Sequence, residues 1–521
     1  MKHTLTELGL QMDNENPISA EIRALFPKGV IVAAAGHSLS RPCLRATELV
    51  QGVFNKVNGE LHGVHFPSGE GLEKQSKDSD YAFKLHLHKP ACKTLSELLG
   101  CDPEDVNLGN GLSDDLIRLV ETHVHPEIFG IRRKIMCLTR DFNSDLTIVR
   151  SFVMKSVVNA LIAVRPLYVG GRMDTVTKDE YQRLSAIFLD ATVSEDAQFE
   201  EITSTFLVEI PTVPGSGLYD VETILGLIEQ YQGELAGALL PGVVFHTSQQ
   251  LDVGRINKAF LERGICCVWD FAHSIGNVQH AVEKDGVLAA AGCGYKHLNG
   301  LPGGPGFVYQ NSKAVARLYA SSTSPEASRN GTQPVVRPTP MSGWLSHGKS
   351  NPFDAFPVID RFHAATLQPI ESIQRSRASN PEVLALKVLI ANLEVVDNFG
   401  VAAIMELKES LTKCLFKALD TFFAQEITRG TFTFITPREP GQRGATICFS
   451  IAGVDARAIE SAVVTDKYKL GRKFEIDVRP AAKKGDSDTF RLTAHYCHMG
   501  FVDTVDLAYC LHECYIRGKG E

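Results

Sequence analysis

Short apolar runs alternate with stretches whose apolar residues recur every three to four positions, and this alternation covers most of the chain. The runs VIVAAAG (30–36), KIMCLT (134–139), AGALLPGVVFH (236–246), ICCVWDF (265–271) and GFVYQN (306–311) have the length and character of buried strands. Between them, VETILGLIEQY (221–231) and VGRINKAFLERG (253–264) carry apolar residues at helical spacing, the second ending on a glycine stop. Strand–helix–strand alternation predicts an α/β fold whose large lobe holds a mainly parallel, doubly wound sheet with helices on both faces. Ligands of such sheets bind beyond the carboxyl ends of the strands.

The pattern changes after about residue 380. Helical spacing runs from PEVLALKVLIANLEVV into VAAIMELKESLTKCLFKALDTFF, with a break at Gly400. The strand-like runs TFTFIT, ATICFSI, FEIDVRP and TFRLTAHY follow, and VDTVDLAYCLHECY closes the chain as a helix. This predicts a smaller α+β lobe over 371–521, a large lobe over 61–370, and an N-terminal segment, 1–60, that joins the small lobe. Residues 312–360, rich in Ser and Pro, form a long connection, and connections of that length are usually functional or disordered.

Composition narrows the function classes. The 521 residues are 44% hydrophobic and 22% charged, ordinary for a water-soluble globular chain. A net charge of −8 without a basic stripe argues against nucleic acid as a partner. No secretory signal is expected from MKHTLTELGLQMDNENP, and no unbroken apolar run reaches the roughly 20 residues of a membrane span. Twelve scattered cysteines predict reduced thiols in an intracellular compartment, and the lack of a targeting signal leads to the expectation of a cytoplasmic location.

The densest chemistry lies in DFAHSIGNVQHAVEKDGVLAAAGCGYKHLNG (270–300). CCVWDF delivers Asp270 at the end of an apolar strand, where burial is costly without a cationic partner. LAAAGCGYK delivers Tyr295 and Lys296 at the end of the next strand, among small residues that admit something bulky. Taken singly, each is an ordinary strand end or surface pair. Together, with the Gly-rich LNGLPGGPG behind them, they suit an aldehyde-bearing pyridine cofactor. The lysine would form the Schiff base, the acid would pair with the pyridinium, and an imidazole would lie against the ring.

On these residues the chain resembles the fold-type-I pyridoxal-phosphate enzymes, and among them the kynureninases. WDFAHSIGNV, GYKHLNG, GWLSH and SNPEVLAL occur in that family's order. The resemblance extends from AAAGHSLSRP (33–42) to FRLTAHYCHMGFVDTVD (490–506) and is dense between 241 and 380. It implies pyridoxal 5'-phosphate, a homodimer with a shared site, and hydrolysis of L-kynurenine or its 3-hydroxy form. The catalytic set it implies is Lys296 as Schiff-base lysine, Tyr295 as acid/base near the phosphate, and Asp270 as pyridinium partner. It places His273 beside the cofactor and the phosphate at the helix start of NGLSDD, on Leu112 and Ser113. DFNSD would set an aromatic on the ring and an acid near its hydroxyl, through Phe142, Asn143, Ser144 and Asp145. Trp344 and Asn380 would reach the cofactor, while Arg491, His347 and Asn380 would contact the substrate. Arg491 would hold the α-carboxylate, a task suited to a bidentate guanidinium.

The chain departs from the family pattern in three places. Pro241 stands where a serine is usual, removing one phosphate contact. The segment 165–205 has no counterpart. Either His62 or His65 would supply an active-site histidine to the neighbouring subunit.

Other signals are weaker. His86 and His88 in KLHLHK, and His123 and His125 in THVHP, lack Cys or carboxylate partners at ligand spacing, so no metal site is expected. The charges of MELKESLTK read as a solvated helix face. Two other functions remain open: another fold-type-I lyase or desulfurase, and a catalytically silent paralogue used for binding.

Overall fold

The computed structural model describes residues 2–60, 88–190, 192–315, 373–376, 382–481 and 487–518. Trp344, His347, Asn380, His62, His65 and His86 lie outside the described residues, as do both junctions drawn at 60/61 and 370/371. The first strand, β1 (Val32–Ala33), stands apart. The next seven are β2 (Val106–Leu108), β3 (Lys134–Leu138), β4 (Leu207–Ile210), β5 (Leu235–Pro241), β6 (Cys266–Asp270), β7 (Ala289–Gly292) and β8 (Phe307–Gln310). They form one sheet in the order β2-β8-β7-β6-β5-β3-β4. Neighbours from β7 to β4 pair parallel, and β8 runs antiparallel to both of its neighbours.

Both faces of this sheet are covered, which is why its strands read as continuous apolar runs. Met136 and Leu138 of β3 join one core with Ile224, Ile228, Ile256 and Phe260 of the helices Val221–Tyr231 and Val253–Leu261. Ile135 and Cys137, one position out of phase, join the opposite core with Leu119, Val149 and Val153. Both helices start on an aspartate, Asp220 and Asp252, whose carboxylates accept the otherwise orphaned amides of Thr223 and Arg255. Trp269 is fully buried on β6 and donates its indole N–H to Asn257 at 3.2 Å.

The later strands are β9 (Phe432–Phe434), β10 (Thr446–Ile451), β11 (Phe474–Glu475), β12 (Asp477–Arg479) and β13 (Thr489–Thr493). Four of them make an antiparallel sheet in the order β12-β13-β10-β9. The fifth, β11, pairs in parallel with β1, so the N-terminal segment joins the C-terminal elements. The helix Lys2–Glu15 likewise packs against the last helix, Phe501–Gly518. Helices Val383–Phe399 and Val401–Phe422 meet at 92° across Gly400, whose φ of 81° favours glycine.

Three expectations are corrected. The run 30–36 yields a strand of only two residues outside the central sheet, with Val30 85% exposed. Its alanines have weak strand preference and its partner is a two-residue edge. The helix Asn143–Val169 is long and apolar enough, by length and composition alone, to cross a membrane. Scattered Arg150, Lys155 and Arg165 hide it from a search for unbroken runs. Its C-terminal part enters the segment 165–205, which continues as helices Thr175–Leu189 and Glu195–Phe206 packed in succession beside it. Lys408, assigned to a solvated face, is buried instead and donates to the carbonyl of Gly276. The other charges of the run keep to the expected face: Glu406 and Lys413 are exposed, and Glu409 pairs with Lys413 and with Arg443.

Candidate active site

Four successive chain crossings deliver side chains to the carboxyl edge of the parallel strands. Asp270 is the last residue of β6, directly opposite Pro241 at the end of β5. Beyond β7, the chain turns through Cys293, Gly294, Tyr295 and Lys296 before returning as β8. Glycine makes that turn feasible, because a Cβ on Gly306 would lie 1.9 Å from the carbonyl oxygen of Gly292. One on Gly294 would lie 2.4 Å from that of Pro305. The Gly-rich motif therefore folds tightly behind Lys296.

Lys296 is buried, and its Nζ lies 3.2 Å from His273 Nε2. It also stands 5.7 Å from the ring centre of Phe142 and 5.8 Å from that of Tyr295. Phe142, 38% exposed, caps the helix Asn143–Val169 and meets Phe245 edge-on at 5.2 Å. Burial drives the His273 imidazole well below its usual range, and the positive charges of Lys296 and Arg491 add to this. A neutral ring can accept a proton-bearing neighbour such as the lysine. Burial raises the Tyr295 phenol, which stays protonated and able to donate.

The acids form a cluster that the sequence reading only half assembled. Asp270, Asp145 and Asp141 are all buried. Asp270 Oδ1 accepts the amide of Ala272 at 2.7 Å, Asp141 Oδ1 that of Phe142 at 2.9 Å, and Asp145 Oδ1 the hydroxyl of Ser144 at 3.0 Å. Desolvation raises all three carboxyls, Asp141 to about 8 and Asp145 well above its ordinary range, while Lys296 restrains Asp270. Asp145 and Asp270 also perturb each other, Asp270 raising the Asp145 carboxyl and Asp145 helping to lower that of Asp270. Asp141 Oδ2 and Asp145 Oδ2 are buried without a partner. Such a cluster suits a cationic N–H guest.

Leu112 and Ser113 open the helix Leu112–His123, whose cap residue Gly111 offers no side chain. Asp115 accepts the amides of Asn110 and Gly111, and burial raises its carboxyl to about 7. The next amides, of Leu112 and Ser113, lack intrahelical acceptors by position. Asn143 is exposed and Ser144 half-buried at the start of the following helix.

Arg491, on β13, is 2% exposed and lies 5.9 Å from the Phe245 ring. Its Nη1 donates to Asp477 at 2.9 Å. Its charge reaches both His273 and His246. The sequence reading missed Asp141, Phe245, Asp477 and His37. Asp141 opens the same DFNSD segment and was readable there; the others are brought in by strand register across the chain.

Among the described residues no cluster of three or more His, Cys, Asp or Glu side chains is arranged to hold a metal. His123 is buried, and His125 bonds the carbonyl of Thr122. All twelve cysteines are free.

The architecture is that of the fold-type-I pyridoxal-phosphate enzymes. A cysteine desulfurase from Thermococcus onnurineus matches with a TM-score of 0.60 over 94% of this chain and 95% of its own, at 15% identity. A ureidoglycine–glyoxylate aminotransferase from Bacillus subtilis matches at 0.54 over 95% and 94%, at 13% identity. In sequence the chain is similar to kynureninases. It is 30% identical to Kynureninase 1 of Chaetomium globosum over 282 residues, 51% of this chain and 53% of that one. It is 29% identical to the kynureninase of Xanthomonas campestris over 48% and 51%. The chain thus spans about half the length of the curated relatives it matches. No protein-family model matches it.

Proposed function

We propose that this chain is a pyridoxal-phosphate-dependent hydrolase that splits L-kynurenine or 3-hydroxy-L-kynurenine into L-alanine and the corresponding anthranilate. The observation that carries the reading is the buried Lys296 beside Asp270, which joins Asp141 and Asp145 in a cluster of buried carboxyls with two unpartnered oxygens. The residues fit the cofactor: a lysine for its aldehyde, an acid cluster for its ring nitrogen, Phe142 for its face and the amides of Leu112 and Ser113 for its phosphate. Bound there, pyridoxal phosphate would supply an electron sink for charge developing on the substrate's carbons.

The chain's own residues supply the rest. Asp270, with Asp145 beside it, would pair with the cofactor's ring nitrogen and favour its protonated form. Lys296 would hold the cofactor's aldehyde and, as a free amine, would take the proton from the substrate's Cα, with His273 as a neutral neighbour. Tyr295 holds a proton to donate. Arg491 would orient the substrate through its α-carboxylate, with Asn380 and His347 also contacting the substrate and Trp344 and Asn380 reaching the cofactor in this reading.

Lys296→Ala should abolish turnover and remove any borohydride-sensitive visible absorbance, with the circular dichroism spectrum unchanged. Activity above a tenth of wild type would refute the assignment. For Arg491→Ala, kcat/KM on kynurenine should fall about tenfold or more, and that on kynuramine, which lacks the carboxylate, should hold.

A desulfurase is the second reading, favoured by the structural neighbours. It calls for a reactive thiol. Cys293, closest to Lys296 in sequence, is buried with its thiol pushed up, the reverse of an activated thiolate. Assay of L-cysteine beside kynurenine separates the two.

A further inference from the structure

Asp477 stands directly across the β12–β13 pairing from Arg491. Its Oδ2 accepts Arg491 Nη1 at 2.9 Å, His37 Nε2 at 3.2 Å and Arg479 Nε at 3.1 Å. His37 comes from the segment after β1 and is fixed on its other side, with Nδ1 2.8 Å from Thr493 Oγ1. Thr493 Oγ1 in turn lies 2.9 Å from Thr446 Oγ1.

The protons in this chain can be assigned. Burial lowers His37 to about 3, so the ring is neutral, with one N–H. A carboxylate can only accept, so that N–H is on Nε2 and points at Asp477. Nδ1 then accepts from Thr493, whose oxygen accepts from Thr446. Burial pushes Asp477 up, but the bond from His37 and the charge of Arg491 outweigh it and hold the carboxyl well below its usual range.

A purely structural Arg–carboxylate pair usually engages two arms of the fork. Here one nitrogen, Nη1, makes the contact, and Nε is buried without a partner. A guanidinium held by one arm, with a desolvated donor left over, is prepared for a second carboxylate.

We infer that Asp477 is an internal counter-carboxylate that positions Arg491 by one arm, and that His37 moderates its grip so that a substrate carboxylate can share the guanidinium. This rests on the proposal that Arg491 receives the α-carboxylate of an amino acid. Three donors on one Asp477 oxygen divide its charge, so Arg491 keeps attraction to spare. Without His37, Asp477 would hold the arginine more tightly and compete harder with the substrate. Without the Asp477 charge, the competitor disappears.

The test is calorimetric titration of the full chain, loaded with pyridoxal phosphate, using L-alanine and its decarboxylated counterpart ethylamine. Asp477→Asn, which retains an acceptor but not the charge, should tighten L-alanine binding several-fold. His37→Ala should weaken it about tenfold, and His37→Gln, which restores a donor, should recover most of the loss. Ethylamine affinity should stay constant across all three. Parallel changes for the two ligands, or none for either, would overturn the inference, as would a wild-type protein that does not prefer L-alanine. If either position proves unable to fold as a variant, the other still decides. Failure to turn over kynurenine with this carboxylate selectivity intact would defeat only the functional proposal.

Discussion

Asp270 is the residue whose environment and chemistry are most tightly joined. It ends β6 because CCVW fills a strand buried on both faces, and the same burial raises its carboxyl until Lys296 restrains it. Under the proposed function, Asp270→Asn would remove the charge that pairs with the protonated ring nitrogen of the cofactor. We expect kcat to fall about a hundredfold, roughly 3 kcal/mol of transition-state stabilisation, with the far-ultraviolet spectrum unchanged. Wild-type kinetics in this variant would make the carboxylate structural. Asp270, His273, Tyr295 and Lys296 were legible because two short motifs hold them, each at a strand end. Asp477 and His37 were not, because cross-strand register and a long-range segment bring them to Arg491. No local spacing records that meeting.

Elements were legible in proportion to their length and to how regularly they are buried. The helices starting at Val221 and Val253 match their apolar spacing and their aspartate caps. Strands β2 and β4, of three and four residues, are too short to carry a period, and the reversed direction of β8 leaves no trace in composition. Helix Val401–Phe422 shows how a charged pattern misleads, since Lys408 stands directly before Glu409 yet points inward. Burial pulls its ammonium down to about 7 from 10.5. The unfolded chain therefore binds more protons between those values, and stability should rise with pH across that window, by up to about 1.4 kcal/mol for each unit. Below about pH 7 the full cost of charging a buried amine remains. Lys408→Met should raise the urea midpoint at pH 7, because that cost exceeds the ~1 kcal/mol of one lost hydrogen bond. The advantage should shrink as pH approaches 10. An equal midpoint gap at both pH values would show that the amine is not desolvated as described.

At the scale of the whole molecule, the two ends of the chain form one surface of contact. Gly9, in the helix Lys2–Glu15, lies so close to the last helix that an added Cβ would sit 3.2 Å from the Val502 backbone. Gly9→Leu should therefore separate the two helices, lower the melting temperature and open the first 26 residues to limited proteolysis, while the central sheet persists. Resistance equal to wild type would show that the contact is dispensable. The contact also sets a timetable. A ribosome adding 5–20 residues per second needs on the order of half a minute or more between delivering Gly9 and delivering Val502. Throughout that interval the helix Lys2–Glu15 lacks the last helix it packs on, and β1 waits equally for β11. The helix Lys2–Glu15, made long before its partner, is thus among the last elements to settle, and a nascent chain stalled before residue 501 would display an apolar helix face that the cell's holding chaperones could grasp.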